Sequence, residues 1–325
     1  MSSEQYEEGG APPYGRTALR PTPPPKGSAP KTPPDFGGGI HRRRRFESLQ
    51  KLWYKFSLNK MSVAGLGIIL LVILLALFQP KLAPYPDHAG AFVDFKRASR
   101  PPGPEYLLGT DTMGRDILSR ILFAFRGALT MGVGVLAVVV PLGGALGLLA
   151  GYFGGRLATL IMRVTDIFLA LPPLILALCV GAILKPTLFN SMMAVCVAWW
   201  PWYTRLVYGM AMSVKNEMYV KSAELLGAGA GHIVFREILP NCLGPIFTKM
   251  TLDMGWVILT GASLSFVGLG EQPPIPSLGT MVSDGAKFIP GQWWISIFPA
   301  LAIMIIVLGF NFMGDGVKDM LSSEE

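Results

Sequence analysis

The sequence predicts an all-α, polytopic membrane protein with six transmembrane helices. Three observations support this prediction: 51% of the 325 residues are hydrophobic, only 15% are charged, and several apolar runs approach 20 residues. Soluble domains carry about 25% charged residues, and a helix needs about 20 apolar residues to cross a bilayer. The runs are continuous rather than alternating, which disfavours a β-barrel.

Six apolar runs define the predicted spans. The first covers about residues 61–78, and the basic flank before it should stay in the cytoplasm. The other runs cover about residues 127–150, 164–184, 190–212, 245–268 and 293–313. An even number of spans places both termini in the cytoplasm. The basic residues of the first outer segment oppose this topology, although the positive-inside rule weakens in longer loops.

The chain is expected to have three parts. Residues 1–45 form a Pro- and Gly-rich cytoplasmic tail that cannot bury a core and should be disordered. A solvated tail and a partner-binding PxxP segment are the two alternatives for it. Residues 46–126 contain the first transmembrane helix and an extracytoplasmic segment, which ends in a predicted interfacial amphipathic helix over residues 115–126. Residues 127–321 form a core with five transmembrane helices and a cytoplasmic loop at residues 213–242.

The net charge of +7 does not indicate a nucleic-acid-binding protein. Many basic residues lie just before the first span, including Arg42–Arg45, and this position fits the positive-inside rule and anionic membrane lipid. The three cysteines, Cys179, Cys196 and Cys242, show neither a metal-binding nor a disulfide spacing. No metal site is therefore predicted.

The loop at residues 213–242 is long and polar for a connection between membrane spans. Asn216 is expected to cap a helix that runs to Leu226, because a short polar side chain can accept a hydrogen bond from an orphan N–H group. Gly227 should supply the left-handed position that ends this helix. A second short helix over residues 232–239 is expected to stop at Pro240.

Two small residues, Ser222 and Ala223, should leave room for another surface to approach the first helix of this loop. Composition leaves two interpretations open. The helix–glycine–helix hairpin is either a docking element for a soluble partner or an interfacial hairpin that lies on the lipid headgroups.

Two acidic residues fall within or near the apolar runs. Asp166 follows Arg163 by three residues, and Asp253 follows Lys249 by four, so each carboxylate has a basic residue on the same helix face. Both pairs should lie near the cytoplasmic ends of their spans. Structural pairing is favoured over a proton relay.

The dipeptide Pro172–Pro173 lies inside the third predicted span. It removes two backbone donors and should kink the helix. The kink is either a gating hinge or a fixed bend, and composition does not separate the two.

One sequence pattern resembles the coupling-loop signature of ABC importer permeases, EAA-x3-G-x9-I-x-LP. The chain has Lys221-Ser222-Ala223, then Gly227, then Leu239-Pro240 at the matching spacing. It departs from the pattern at Lys221, where the family has Glu, although Glu224 lies one turn further on. Three other stretches, which begin at Leu107, Ala262 and Phe310, resemble the C-type permease of the dipeptide/oligopeptide/nickel branch. The resemblance covers roughly residues 55–321.

The resemblance implies a type I ABC importer permease fold and a non-catalytic subunit of an ATP-driven transporter in a prokaryotic inner membrane. The implied partners are a B-type permease, two ATP-binding subunits that hold ATP and Mg, and an extracytoplasmic solute-binding protein. ATPase coupling would fall to the motif residues, namely Lys221, Ser222, Ala223, Glu224, Gly227, Leu239 and Pro240. The implied substrates are di- or oligopeptides, with nickel, glutathione and oligosaccharides as alternatives.

The chain itself contains no recognisable nucleotide-binding motif. It has no G-x4-G-K-[ST] loop, and the glycines of residues 227–231 follow a helix and lack the lysine of that motif. The rival interpretation is an ion-coupled secondary transporter. Such proteins often contain inverted repeats and midplane ionisable residues, but no repeat is evident here.

Overall fold

The computed structural model describes residues 53–321, and its regular structure there is helical apart from an isolated β-bridge between Thr110 and Asp116. The predicted disordered tail, residues 1–45, lies outside the described residues. The helices of eight or more residues, in chain order, are α1 (Lys60–Leu82), α2 (Ile117–Phe153), α3 (Gly155–Leu169), α4 (Pro173–Ile183), α5 (Leu188–Lys215), α6 (Met218–Leu225), α7 (Ala230–Phe266), α8 (Leu278–Ala286) and α9 (Trp294–Leu321).

Within the described residues, four helices are long and apolar enough to cross a membrane: α1, α2, α7 and α9. The pair α3 and α4 would make a fifth span if the two segments cross together, although they meet at an angle of 87°. Helix α5 has 28 residues but is not apolar enough to satisfy the same criterion. Four or five spans thus follow from length and composition, fewer than the six predicted.

A stripe of glycines joins α2 to α5 in the most extensive helix–helix contact of the described fold. A Cβ atom added to Gly143 would lie 2.6 Å from the carbonyl oxygen of Trp200, and one added to Gly147 would lie 2.7 Å from that of Thr204. Only glycine permits so close an approach of two backbones, which is how helices associate in lipid. Gly144 does not take part in this contact, because an added Cβ there would meet nothing within 4 Å.

The segment between α1 and α2 packs tightly at the start of α2. His88 is buried, its Nδ1 accepts a hydrogen bond from the backbone N–H of Asp116 (2.9 Å), and its ring stacks on Phe92. Asp116 then caps α2 by accepting from the N–H of Ser119 (2.8 Å). The interfacial helix predicted over residues 115–126 is wrong, because residues 117–125 form the first part of the long helix α2 and most of them are buried.

The third predicted span is broken. Helix α3 ends at Leu169, and α4 begins at Pro173, with Pro172 as its N-cap. A proline at the first helical position loses no bond, because that N–H would have no partner in any case. The two prolines therefore end one helix and start another at 87°, a larger change of direction than the predicted kink.

Candidate functional site: the coupling loop and a membrane ion pair

Helix α6 begins one residue later than the sequence suggests. Its N-cap is Glu217, without a side-chain cap bond, so the predicted capping role of Asn216 is wrong. Asn216 instead ends α5: its side-chain amide donates to the carbonyl of Met212 (3.0 Å). Because α5 extends to Lys215, the side chain of Asn216 satisfies a carbonyl at the end of α5 rather than an N–H group of the next helix.

The end of α6 follows the prediction. Gly227 has φ +85°, the left-handed conformation that favours glycine. Its N–H donates to the carbonyl of Glu224 (3.0 Å), and the N–H of Ala228 donates to that of Ala223 (3.0 Å). This pair of bonds is a Schellman motif, which satisfies carbonyls that the helix end would otherwise leave without partners.

The second predicted helix does not stop at Pro240. It continues as α7 from Ala230 to Phe266, with a π-helical segment at Ile233–Ile238. In this wider turn the N–H of Leu239 donates to the carbonyl of Val234, five residues back. The side chain of Asn241 donates to the carbonyl of Glu237 (2.6 Å). The wider turn and this side-chain bond let the helix pass a residue that lacks an N–H group.

One face of α6 is anchored to the membrane helices. Val220 is 1% exposed and packs in a cluster with Leu148 of α2, Val207 of α5 and Ile238 of α7. A second tie is the hydroxyl of Tyr219, which accepts a hydrogen bond from the side chain of Asn241 (3.0 Å). Burial, followed by nearby Glu217 and Glu237, raises the pKa of Tyr219, so this hydroxyl stays protonated.

The opposite face of α6 is open and apolar. Met218, Leu225 and Leu226 are 81%, 89% and 88% exposed. The substituted motif residue Lys221 lies 3.5 Å from Glu224, so these two exposed charges pair with each other. The Ser222 hydroxyl donates to the carbonyl of Met218 (2.8 Å) within the helix. A short, anchored helix that exposes leucines is suited to bind another protein surface.

The structure brings together one of the two predicted ion pairs. Lys249 Nζ donates to Asp253 Oδ1 (3.1 Å), and the pair lies at the middle of the segment Leu239–Phe266. Asp166 pairs with Arg205 of α5, so the predicted pairing with Arg163 is wrong. Packing of α3 against α5 supplies the nearer partner, and a basic residue three positions before an acid is a poorly oriented helical pair.

Two residues of this region gave no signal in the sequence. Val220 is one of many valines, and only its burial in a cluster with residues of other helices shows that it anchors α6. Arg205 lies 39 positions from its partner, beyond any helical spacing rule. Within residues 53–321, no group of three or more His, Cys, Asp or Glu side chains could hold a metal ion.

Two known families match separate parts of this sequence. Residues 143–324 match the family described as the binding-protein-dependent transport system inner membrane component. Residues 48–102 match the N-terminal transmembrane domain of oligopeptide transport permease C.

Several curated relatives align over most of the chain. A dipeptide transport system permease protein of Haemophilus influenzae is 41% identical over 281 residues, which cover 84% of this chain and 94% of the relative. A di/tripeptide transport system permease protein of Pseudomonas aeruginosa is 41% identical over 279 residues, 84% of this chain and 91% of the relative. A glutathione transport system permease protein of Pectobacterium atrosepticum is 38% identical over 272 residues, 84% of this chain and 90% of the relative.

The helical fold and these relatives define a multi-pass membrane permease subunit. The chain belongs to the family of inner membrane components of binding-protein-dependent transport systems, the permease subunits of ABC importers. The function expected from the resemblance in sequence is thereby confirmed.

Proposed function

We propose that this chain is the C-type permease of an ATP-driven importer for di- or oligopeptides, and that α6 is its docking element for an ATPase subunit. The exposed leucines at the end of α6, held in place by the buried Val220, carry the proposal. The alternative of a hairpin on the lipid surface is less well supported, because Val220 fixes α6 to the protein core rather than leaving it free to follow the headgroups.

The proposed complex contains a B-type permease, two ATP-binding subunits and an extracytoplasmic binding protein. ATP and Mg would belong to the ATP-binding subunits. In this chain α5 and the bent pair α3–α4 would cross the membrane with the four apolar helices, which gives six spans with both termini in the cytoplasm of a prokaryote. At 1.5 Å per residue, the 28 residues of α5 reach about 42 Å, enough for the bilayer core.

The mechanism follows from the anchoring of α6. Closure of the ATPase dimer on ATP would move the docked face of α6. Val220 would pass this movement to α2, α5 and α7, because one buried cluster contains residues of all four helices. The permease would then alternate between outward and inward access while ATP hydrolysis stays on the partner subunits.

Peptides are the proposed substrate because several relatives are named for dipeptide transport. Glutathione, itself a tripeptide, is the second candidate, since one relative is named for its transport. Solute-binding assays on the cognate binding protein would distinguish them.

Replacement of Ala223 by Trp tests the docking role. The bulky ring should block the approach of a partner at a position where the helix now presents a methyl group. We expect loss of ATPase co-purification and of dipeptide uptake while the chain still inserts in the membrane. Gly231→Ala is the matched control, because an added Cβ at Gly231 meets nothing within 4 Å. Wild-type uptake with normal ATPase retention in Ala223→Trp would reject the assignment.

A second experiment separates this proposal from an ion-coupled transporter. Uptake should survive collapse of the proton gradient and stop on ATP depletion. The opposite pattern would favour the ion-coupled mechanism.

A further inference from the structure

The Lys249–Asp253 pair lines two cavities of the described fold. The first cavity, about 470 Å³, is bounded by α5, α7 and the start of α4. The second cavity, about 420 Å³, is bounded by residues 245–253 of α7 and the end of α9. Both are lined by Lys249 and Asp253; the first has no other charged lining residue, and the second has one more, Lys318.

Aromatic rings surround the pair on the side of the first cavity. Trp199 and Trp202 of α5 and Trp256 of α7 line that cavity. The ammonium of Lys249 lies 5.6 Å from the centroid of the Trp202 ring and 5.4 Å from that of Tyr203, within the range of cation–π attraction. Such rings also suit a second ammonium group brought by a ligand.

Two buried oxygens near the pair lack a hydrogen-bond partner among the described residues. They are Asp253 Oδ2 and the hydroxyl of Tyr203, a residue that is 0% exposed. Asp253 Oδ2 lies 3.0 Å from Lys249 Nζ, yet the hydrogen bond of that ammonium goes to Oδ1. Both oxygens of the Asp253 carboxylate therefore lie within ion-pairing distance of Lys249, and a ligand in the cavity would meet one compact charged pair beside the aromatic rings.

A purely structural role explains the pair less well. An ion pair inside a membrane protein must overcome the cost of removing two charges from water, and apolar replacements of such pairs are often neutral or stabilising. Both residues lie inside the predicted span at about residues 245–268, where ionisable residues are expected to serve function.

We propose that Lys249 and Asp253, with the adjacent tryptophans, form this subunit's contact site for a zwitterionic short peptide during translocation. The ammonium of Lys249 would bind the peptide carboxylate, the carboxylate of Asp253 would bind the peptide ammonium, and the tryptophan faces would contact the side chains. A volume of about 470 Å³ lies within the range of small-ligand sites. This inference rests on the proposed importer function.

The combined variant Lys249→Met/Asp253→Leu tests the inference, because a merely structural pair should tolerate this apolar replacement. The measurement is uptake of radiolabelled Ala–Ala by cells whose dipeptide uptake depends on this complex. We expect uptake to fall about tenfold or more, the effect of losing a charge-assisted hydrogen bond, with membrane abundance and ATPase co-purification unchanged. Asp284→Asn/Lys287→Gln is the control, since it removes an exposed pair (3.8 Å) at the end of α8.

A measurement on the wild-type complex covers the case in which that variant fails to fold. A dipeptide of alanine and photo-leucine is supplied during turnover, irradiated, and its adducts are mapped by mass spectrometry. Adducts in the segments that contain Trp202 and Trp256 are expected. Normal Ala–Ala uptake by the apolar double variant, or adducts confined to other segments, would overturn the inference. ATP-independent uptake by the wild type would instead overturn the proposed function.

Discussion

Replacement of Val220 by Ala should detach α6 from the membrane helices without altering its exposed face. Val220 is 1% exposed, and Ala lacks two of its buried carbon atoms. At about 0.8 kcal/mol per buried methylene-sized group, with a smaller addition for the cavity, the packed position of α6 should lose about 2 kcal/mol. Since 1.4 kcal/mol is a tenfold change, the detached state should become about 30-fold more populated.

Hydrogen exchange measures this population directly. Amides of residues 218–225 should exchange about 30-fold faster in Val220→Ala when the two permease subunits are purified without ATPases. In the full complex, the variant should hydrolyse more ATP per peptide transported. Leu225→Ala is the contrasting variant, because it truncates the exposed face and should weaken ATPase retention without changing the exchange rates. Exchange within twofold of wild type in Val220→Ala would refute the anchoring argument.

Three further predictions concern local features. Gly227→Ala should lower uptake, because a residue with a Cβ costs about 1–2 kcal/mol at φ +85°, whereas Gly227→Asn should do less harm; equal uptake in the two variants would contradict this. Gly147→Ala should lower the Tm of the purified protein, because its Cβ would lie 2.7 Å from a backbone oxygen of α5, while Gly144→Ala should keep or raise it. Burial lowers the pKa of His88, so the segment between α1 and α2 binds more protons when unfolded; its stability should be full above the ordinary pKa of about 6.5 and fall at lower pH. Hydrogen exchange of residues 83–116 from pH 7.5 to 5 would detect this loss, and His88→Phe should abolish the pH dependence.

Local rules predicted the features that depend on one or two neighbouring residues. Gly227 has the left-handed conformation that ends α6 because only a residue without Cβ adopts it at low cost. Lys249 and Asp253 meet because a spacing of four places both on one helix face. The helical class followed from hydropathy alone. The gating and coupling roles of these residues remain predictions.

The sequence-based errors arose where a second structural element competed. Asn216 lies between the end of α5 and the start of α6, and its side chain donates to a carbonyl of α5 instead of capping α6. A proline ends most helices, but a π-helical turn lets α7 continue through Pro240. Asp166 took its partner from α5 rather than from its own helix. Each outcome depends on packing between segments, which a single-sequence pattern does not contain.

The continuity of α7 makes it a mechanical lever. The same helix contacts α6 at one end, through Asn241, and carries Asp253 about 20 Å further along, at 1.5 Å per residue. A rigid tilt of 10° about its coupling end would thus shift the ion pair by about 3.5 Å, more than the length of the bond between Lys249 and Asp253. The π-helical segment Ile233–Ile238 lies before Asn241, so bending there would leave the arm between Asn241 and Asp253 intact and would change only the angle at which α6 meets it.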